Sequence, residues 1–161
     1  MEKTLRQLLP RGKFERVSPQ LSRHMAAVKG RDNRTTEARL RFGLVHAGVR
    51  GWKLNSQLVG HPDFYFSMHR VVVFVDGCFW HGCKRCGHVP KKHGPFWRRK
   101  IERNRDRDRL TTAKLRRRGF RVVRFWEHEL QSDLPGCLRR LCTLVEAKQT
   151  NMPSSGPFIG R

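Results

Sequence analysis

Within the run VVVFVDGCFWHGCKRCGH, residues 71–88, lie three cysteines, two histidines, an aspartate and a Phe-Trp pair. Cys83 and Cys86 have the C-x-x-C spacing that supplies half of a structural zinc site, and Cys78 precedes them by five residues. A tetrahedral Zn²⁺ takes four ligands, so one more is needed, and His81, His88, His128, Cys137 and Cys142 compete for the place. Geometry favours His128, because it follows FRVVRFW, and a strand beside VVVFV would deliver it to the same end of a sheet. Cys137 and Cys142 fit ordinary core or helix positions. Five cysteines, an odd number with this short spacing, do not suit a secreted disulfide framework. The metal would be closed and structural, stapling a loop that has few apolar anchors.

A second chemistry lies beside the first. Asp76 ends five consecutive apolar residues, Asp63 follows Pro62 at the mouth of an earlier extended segment, and Glu37 falls in the first turn of a helix. Carboxylates gathered at one edge of a basic surface can hold Mg²⁺, which binds a phosphodiester and positions a water nucleophile. If Ser67 to Arg70 form a hairpin loop, Phe66 lies opposite Val71 and Asp63 opposite Phe74. Asp63 and Asp76 then share a face within diagonal reach, although a slip of one residue would part them. The plainer alternative makes Asp63 a turn residue after proline and Asp76 a strand cap.

Lys and Arg number 35 against 13 Asp and Glu, a net charge of +22 that calls for a polyanionic partner, nucleic acid first. Phe79, Trp80 and Trp97 would pack in a core by default. Beside a metal loop on so basic a chain they can instead stack on or wedge between bases, which is cheapest where a pair is mismatched or damaged. In the basic segment from Gly94 to Arg118, Trp97, Ile101, Asn104, Asp108, Thr111 and Leu115 fall on one helical stripe. Asn104 and Asp108 are therefore supporting polar residues at core-facing positions, or surface partners of Arg105 and Arg107.

The elements that must position these groups follow from periodicity. RTTEARLRFGLVHAG predicts a helix with Thr35 as N-cap, Glu37 in the first turn, Leu40, Leu44 and Ala47 on one face and Gly48 as stop. GWKL predicts a short strand, QLVGHPDFYF and VVVFV a hairpin, Gly94 to Arg118 a long helix stopped by Gly119, FRVVRFW a strand, and PGCLRRLCTLVEA a last helix. Leu138, Leu141, Leu144 and Val145 line its inner face. The order α, β, β, β, α, β, α predicts an α/β fold, a mixed sheet flanked by helices. The 161 residues suffice for one core. Residues 1–21 form a basic arm, 22–147 the domain, and 148–161 a tail rich in Pro, Gly and Ser. No apolar run nears the roughly 20 residues of a membrane helix and no signal-peptide core is present, so a soluble, intracellular protein is expected.

Taken together, SRHMAAVKGRDNRTTEARLR, GHPDF, VVVFVDGCFWHGC, FWRRKIERNRDRD and GFRVVRFWEHEL resemble the Vsr endonucleases of very short patch mismatch repair, over about Ser22 to Leu130. The resemblance implies a restriction-endonuclease-like fold and an enzyme that nicks one strand 5′ to the thymine of a T:G mismatch left by deamination of 5-methylcytosine. It implies that Asp63 and the Val75 backbone carbonyl hold Mg²⁺, that Glu37 matches the first-helix glutamate, that His81 is the general base, and that Phe79, Trp80 and Trp97 intercalate. Two positions depart from the best-known members. Histidine is familiar where this chain has Asp76, so a carboxylate there either shares the activation of water with His81 or binds metal. In the zinc site Cys83 and His128 stand where histidine and cysteine are familiar, and Cys86 is shifted by one residue. Three cysteines and one histidine survive the exchange, which supports His128. The implied partner is double-stranded DNA with a T:G mismatch, met by a monomer in a bacterial-type, nucleoid-associated cytoplasmic setting, with a functional link to a cytosine methyltransferase and mismatch-repair proteins. Two rivals stand beside it: a nuclease of the same fold acting on matched DNA in restriction or mobile-element biology, and a zinc-stapled DNA-binding module without chemistry.

Overall fold

The computed structural model describes residues 36–54, 56–91 and 93–146, and all of them lie in one compact unit. The expected N-cap Thr35, the basic arm and the C-terminal tail lie outside the described residues. Four strands form one sheet in the order β1 (Trp52–Leu54), β2 (Phe64–Phe66), β3 (Val71–Asp76), β4 (Arg121–Trp126). β1, β2 and β3 pair antiparallel, and β4 runs parallel to β3. The five apolar residues of β3 suit a strand covered on both faces, and Val71, Val72 and Val73 are fully buried. The hairpin has the expected register, Phe66 opposite Val71 and Phe64 opposite Val73. Its loop closes through the Arg70 N–H on the Ser67 carbonyl, with Arg70 in the left-handed region at φ 52°.

A parallel return from β3 to β4 needs a long crossover, supplied by helix α2 (Gly94–Arg117). Gly119, at φ 78°, ends it as expected. The first helix among the described residues, α1 (Glu37–His46), has Thr36 at its cap position and gives way at Gly48, φ 67°. A short helix α3 (Glu127–Ser132) was not anticipated from the sequence. Its six polar-rich residues carry no periodicity, and the Glu129 carboxylate starts it by accepting the Trp126 N–H at 2.7 Å. The last helix, α4 (Leu134–Glu146), opens with Asp133 accepting the Gly136 N–H at 2.8 Å.

The alternation of side chains sorts the sheet into two faces. Phe64, Phe66, Val71, Val73, Val123 and Phe125 meet Leu40 and Leu44 of α1 and Leu141 and Val145 of α4. Val72 and Phe74 pack with Leu115 of α2, flanked by Tyr65, Phe120 and Val122. The architecture is thus a mixed four-stranded α/β sheet with helices on both faces, whose β3 and β4 ends converge on the cysteine loop. Among the described residues no helix is long and apolar enough to cross a membrane.

Candidate active site and metal centre

Because β4 is parallel to β3, with Trp126 opposite Asp76, His128 arrives beside Cys78. One ligand atom each from Cys78, Cys83, Cys86 and His128 lies within 4.8 Å of all the others. His128 Nδ1 is 3.2 Å from Cys78 Sγ and 3.5 Å from both Cys83 Sγ and Cys86 Sγ, while Cys83 and Cys86 are 3.6 Å apart. Tetrahedral zinc, with bonds of about 2.3 Å to sulfur and about 2.05 Å to nitrogen, sets ligand separations of about 3.6–3.8 Å. The separations of 3.2–3.6 Å lie close to these values and no pair exceeds 4.8 Å, so the four residues fit such an ion with small adjustments.

Backbone bonds pre-form this loop. The Cys83 N–H donates to the Cys78 carbonyl and the Gly87 N–H to the Cys83 carbonyl, both at 2.9 Å, and Glu127 accepts the Cys78 N–H at 3.2 Å. A Cβ on Gly87 would sit 2.5 Å from the Cys83 carbonyl oxygen and 2.9 Å from that of Cys78, so the position is closed to any side chain. Burial, followed by the Cys86 hydrogen bond, pushes the Cys78 thiol up to about 12. Burial also opposes ionisation of Cys83, but the amides of Cys86 and Arg85 and the neighbouring thiols outweigh it, and its pKa falls. Cys137 lies in the core and Cys142 on α4, as the sequence suggested, and His88 stands against Phe79 with ring centroids 6.3 Å apart.

The acids gather at the same end of the sheet. Asp63 Oδ2 accepts the Val75 N–H at 2.7 Å. Burial raises Asp63 to about 6, the Val75 hydrogen bond working against this and the charges of Glu37 and Asp76 adding to it. Two further carboxylates thus lie within electrostatic reach of Asp63, and a carboxylate so placed is one that a divalent cation would relieve. Glu37 is buried near the start of α1. Asp76, 4% exposed, receives a two-point hydrogen bond from Arg124 Nε and Nη2, each at 2.6 Å.

His81 stands at the centre of a polar chain. Its Nδ1 is 2.6 Å from Asp108 Oδ2 and 3.5 Å from Asp76 Oδ1, and Arg124 Nη2 bonds the other Asp108 oxygen at 3.2 Å. Burial opposes the charge on Asp108, but the His81 hydrogen bond and the charges of His81 and Arg124 hold its carboxyl below the usual range. α2 holds the loop from behind, Asn104 Nδ2 donating to the Trp80 carbonyl at 2.8 Å. Gly82, at φ 63°, lets the chain pass where a Cβ would lie 2.5 Å from Ile101. The helical stripe thus brings Asn104 against the Trp80 carbonyl and Asp108 against His81. Arg124 was missed by sequence reasoning. The available signal was a charge in the middle of FRVVRFW, two residues from Trp126 and so on the face of the sheet that carries Phe74.

Phe79, Trp80 and Trp97 form a half-buried cluster of edge-to-face rings with centroids 5.0–6.0 Å apart. Lys100 Nζ lies 5.4 Å from the Trp80 centroid and 5.7 Å from that of Trp97. His81 also lines a cleft of about 360 Å³ that is edged by Lys84, Arg85 and Arg105. A buried acid, a carboxylate-bound imidazole, rings and a basic rim are thus juxtaposed at one end of the sheet.

Residues 17–87 match the family model described as DNA mismatch endonuclease Vsr. Type II nicking enzyme V.XorIIP of Xanthomonas oryzae pv. oryzae is 38% identical over 134 residues, 82% of this chain and 97% of that protein. The chain belongs to the Vsr family. Type II nicking enzyme V.NaeI of Lentzea aerocolonigenes is 39% identical over 117 residues, 70% of each chain. DNA mismatch endonuclease Vsr of Escherichia coli is 37% identical over 112 residues, 68% of this chain and 70% of that one. The Vsr model match stops at Gly87, ahead of Asp108, Arg124 and His128, which tertiary contacts add to the site.

Proposed function

We propose that this chain is a DNA mismatch endonuclease that nicks one strand 5′ to the thymine of a T:G mismatch, with Mg²⁺ at its acids and zinc in the site of three cysteines and one histidine. The sheet with its flanking helices is read as restriction-endonuclease-like. The observation that carries the reading is the juxtaposition of Asp63, fixed on the Val75 amide, with the His81–Asp108 pair and the Phe79, Trp80 and Trp97 cluster. Asp63 and the Val75 carbonyl, with Glu37 nearby, would hold Mg²⁺, which offsets charge on the phosphate and on the leaving 3′ oxygen.

The protein's own groups do the rest. Asp108 accepts the Nδ1 proton of His81 and so leaves Nε2 unprotonated. Nε2 takes a proton from the attacking water as the water oxygen bonds to phosphorus and the bond from phosphorus to the 3′ oxygen breaks. Cys78, Cys83, Cys86 and His128 would hold zinc apart from this step, which would fix the loop that carries His81, Phe79 and Trp80. The three rings, opening from their mutual contacts, would wedge into the stack, which costs a few kcal/mol per step and least at a mismatched pair. On this reading a monomer acts on DNA in a bacterial-type cytoplasm, following a cytosine methyltransferase whose product deaminates.

A labelled duplex carrying T:G, beside C:G and T:A controls, with Mg²⁺ or EDTA, tests the assignment. Nicking confined to the thymine strand of the mismatch, and lost in EDTA, is the expected result. Equal cutting of matched DNA would support the second reading, strand nicking outside repair, which the relatives named Type II nicking enzymes keep in view. Asp63→Ala separates both from a binding module, which has no nicking to lose.

A further inference from the structure

Arg124 and Asp76 are joined by a two-point hydrogen bond, and the same guanidinium reaches Asp108 and covers the Phe74 ring at 4.8 Å. β4 places Arg124 opposite Phe74, one step from Asp76 on the same sheet face. A planar fork on a carboxylate fixes its orientation and offsets its charge, and a buried acid so engaged has little left to offer another cation. Asp76 is nonetheless one residue beyond Val75, whose amide holds Asp63. Without Arg124, Asp76 would keep only its 3.5 Å approach to His81 and Asp63 its Val75 amide, and two carboxylates at one end of the sheet would lack a guanidinium partner. A hard divalent ion recruits carboxylate oxygens within reach, and its affinity is tuned by how many such charges surround it.

We propose that Arg124 is a positioning residue that withdraws Asp76 from the cation-binding edge, leaving Asp63 and Glu37 as the acids that face the ion. Asp76 is then neither a metal ligand nor a base. It is the anchor that holds the guanidinium in place, so that Asp108, bonded to Arg124 through Oδ1, presents Oδ2 to His81. The net charge of Asp76, Arg124 and Asp108 is −1 rather than −2. The inference rests on the reading of Asp63 as a cation-holding acid, and its test keeps the two apart.

The test is Mn²⁺ binding to the full chain, without DNA, followed by the electron paramagnetic resonance signal of the free ion. Arg124→Met releases the Asp76 carboxylate, and Mn²⁺ should bind at least about tenfold more tightly, a gain that a loosened fold would not produce. Arg124→Met/Asp76→Asn removes the pair without leaving a buried charge, and its affinity should match the wild type within about twofold. Unchanged binding in Arg124→Met overturns the proposal, as does several-fold weaker binding in the double variant, which would make Asp76 a ligand. Should Arg124→Met not fold, the double variant decides alone. Asp63→Asn identifies the site: Mn²⁺ binding that survives it overturns the reading of Asp63 as well, whereas Asp63-dependent binding with a weakened double variant overturns only the role given to Arg124.

Discussion

Asp63 carries a conflict between stability and function. Burial lifts its pKa from the ordinary 3.8 to about 6, with the charges of Glu37 and Asp76 adding to the rise. Because the folded state binds the proton more tightly, this group's contribution to stability is full below pH 3.8 and is lost as pH rises through about 6. The ionised form costs the cation-free protein about 3 kcal/mol at neutral pH. Asp63→Asn should therefore abolish nicking and yet raise the melting temperature of the cation-free protein at pH 7, with the difference from wild type shrinking as pH is lowered from 6 to 4. Thermal melts across that range check it; equal melting points at pH 7 would remove the electrostatic argument. In the proposed mechanism Asp108 acts through its charge. Asp108→Asn keeps the shape that holds His81 Nδ1 but loses the anion that stabilises the imidazolium, and single-turnover nicking should fall by about 100-fold with little change in DNA affinity. Asp63 and Asp76 could be singled out in the sequence because each stands at the end of a readable strand, whereas the role expected of His81 came with the family resemblance. Arg124 could not be singled out, because its meaning depends on which residues of β3 and α2 it meets.

At the scale of elements, the cysteine loop packs Phe79 and Trp80 on Trp97 of α2, and a metal on its three thiols and His128 would close it. Structural zinc in small sites contributes about 10–16 kcal/mol of apparent binding free energy near neutral pH, so its removal should disorder residues 77–88 and with them His81 and the rings. Gly87→Ala forces a Cβ against two carbonyl oxygens of the cluster. It should lower bound zinc, read by elemental analysis, and reduce the melting temperature by about 5 °C or more. Full zinc occupancy in that variant would show that the loop can yield. The long helix α2 was legible to within a residue, since a stripe at helical period persists over Trp97 to Leu115 and Gly119 ends it. α3 escaped because six residues give no period to detect, and its start depends on the Glu129 carboxylate returning to Trp126.

Across the whole molecule, a net charge of +22 is distributed along a chain whose site end is edged by Lys84, Arg85 and Arg105. Releasing counterions from DNA makes affinity fall with salt at about 0.9 per phosphate contacted, so a plot of log affinity against log salt concentration should have a slope of about −5 to −9. Fluorescence anisotropy on a T:G duplex measures it, and a flat dependence would contradict electrostatic binding. The sequence by itself determined the order of elements apart from α3, the hairpin register, the acidic and thiol motifs and the basic character. Periodicity, turn chemistry and ligand spacing are local properties, carried by residues near one another in the chain. Only the tertiary structure decided that Asp108 holds His81, that Arg124 occupies Asp76, and that His128 closes the thiol cluster. Those partners lie 27 to 50 residues apart in the chain, and they meet because a parallel strand and its crossover helix return to one end of the sheet.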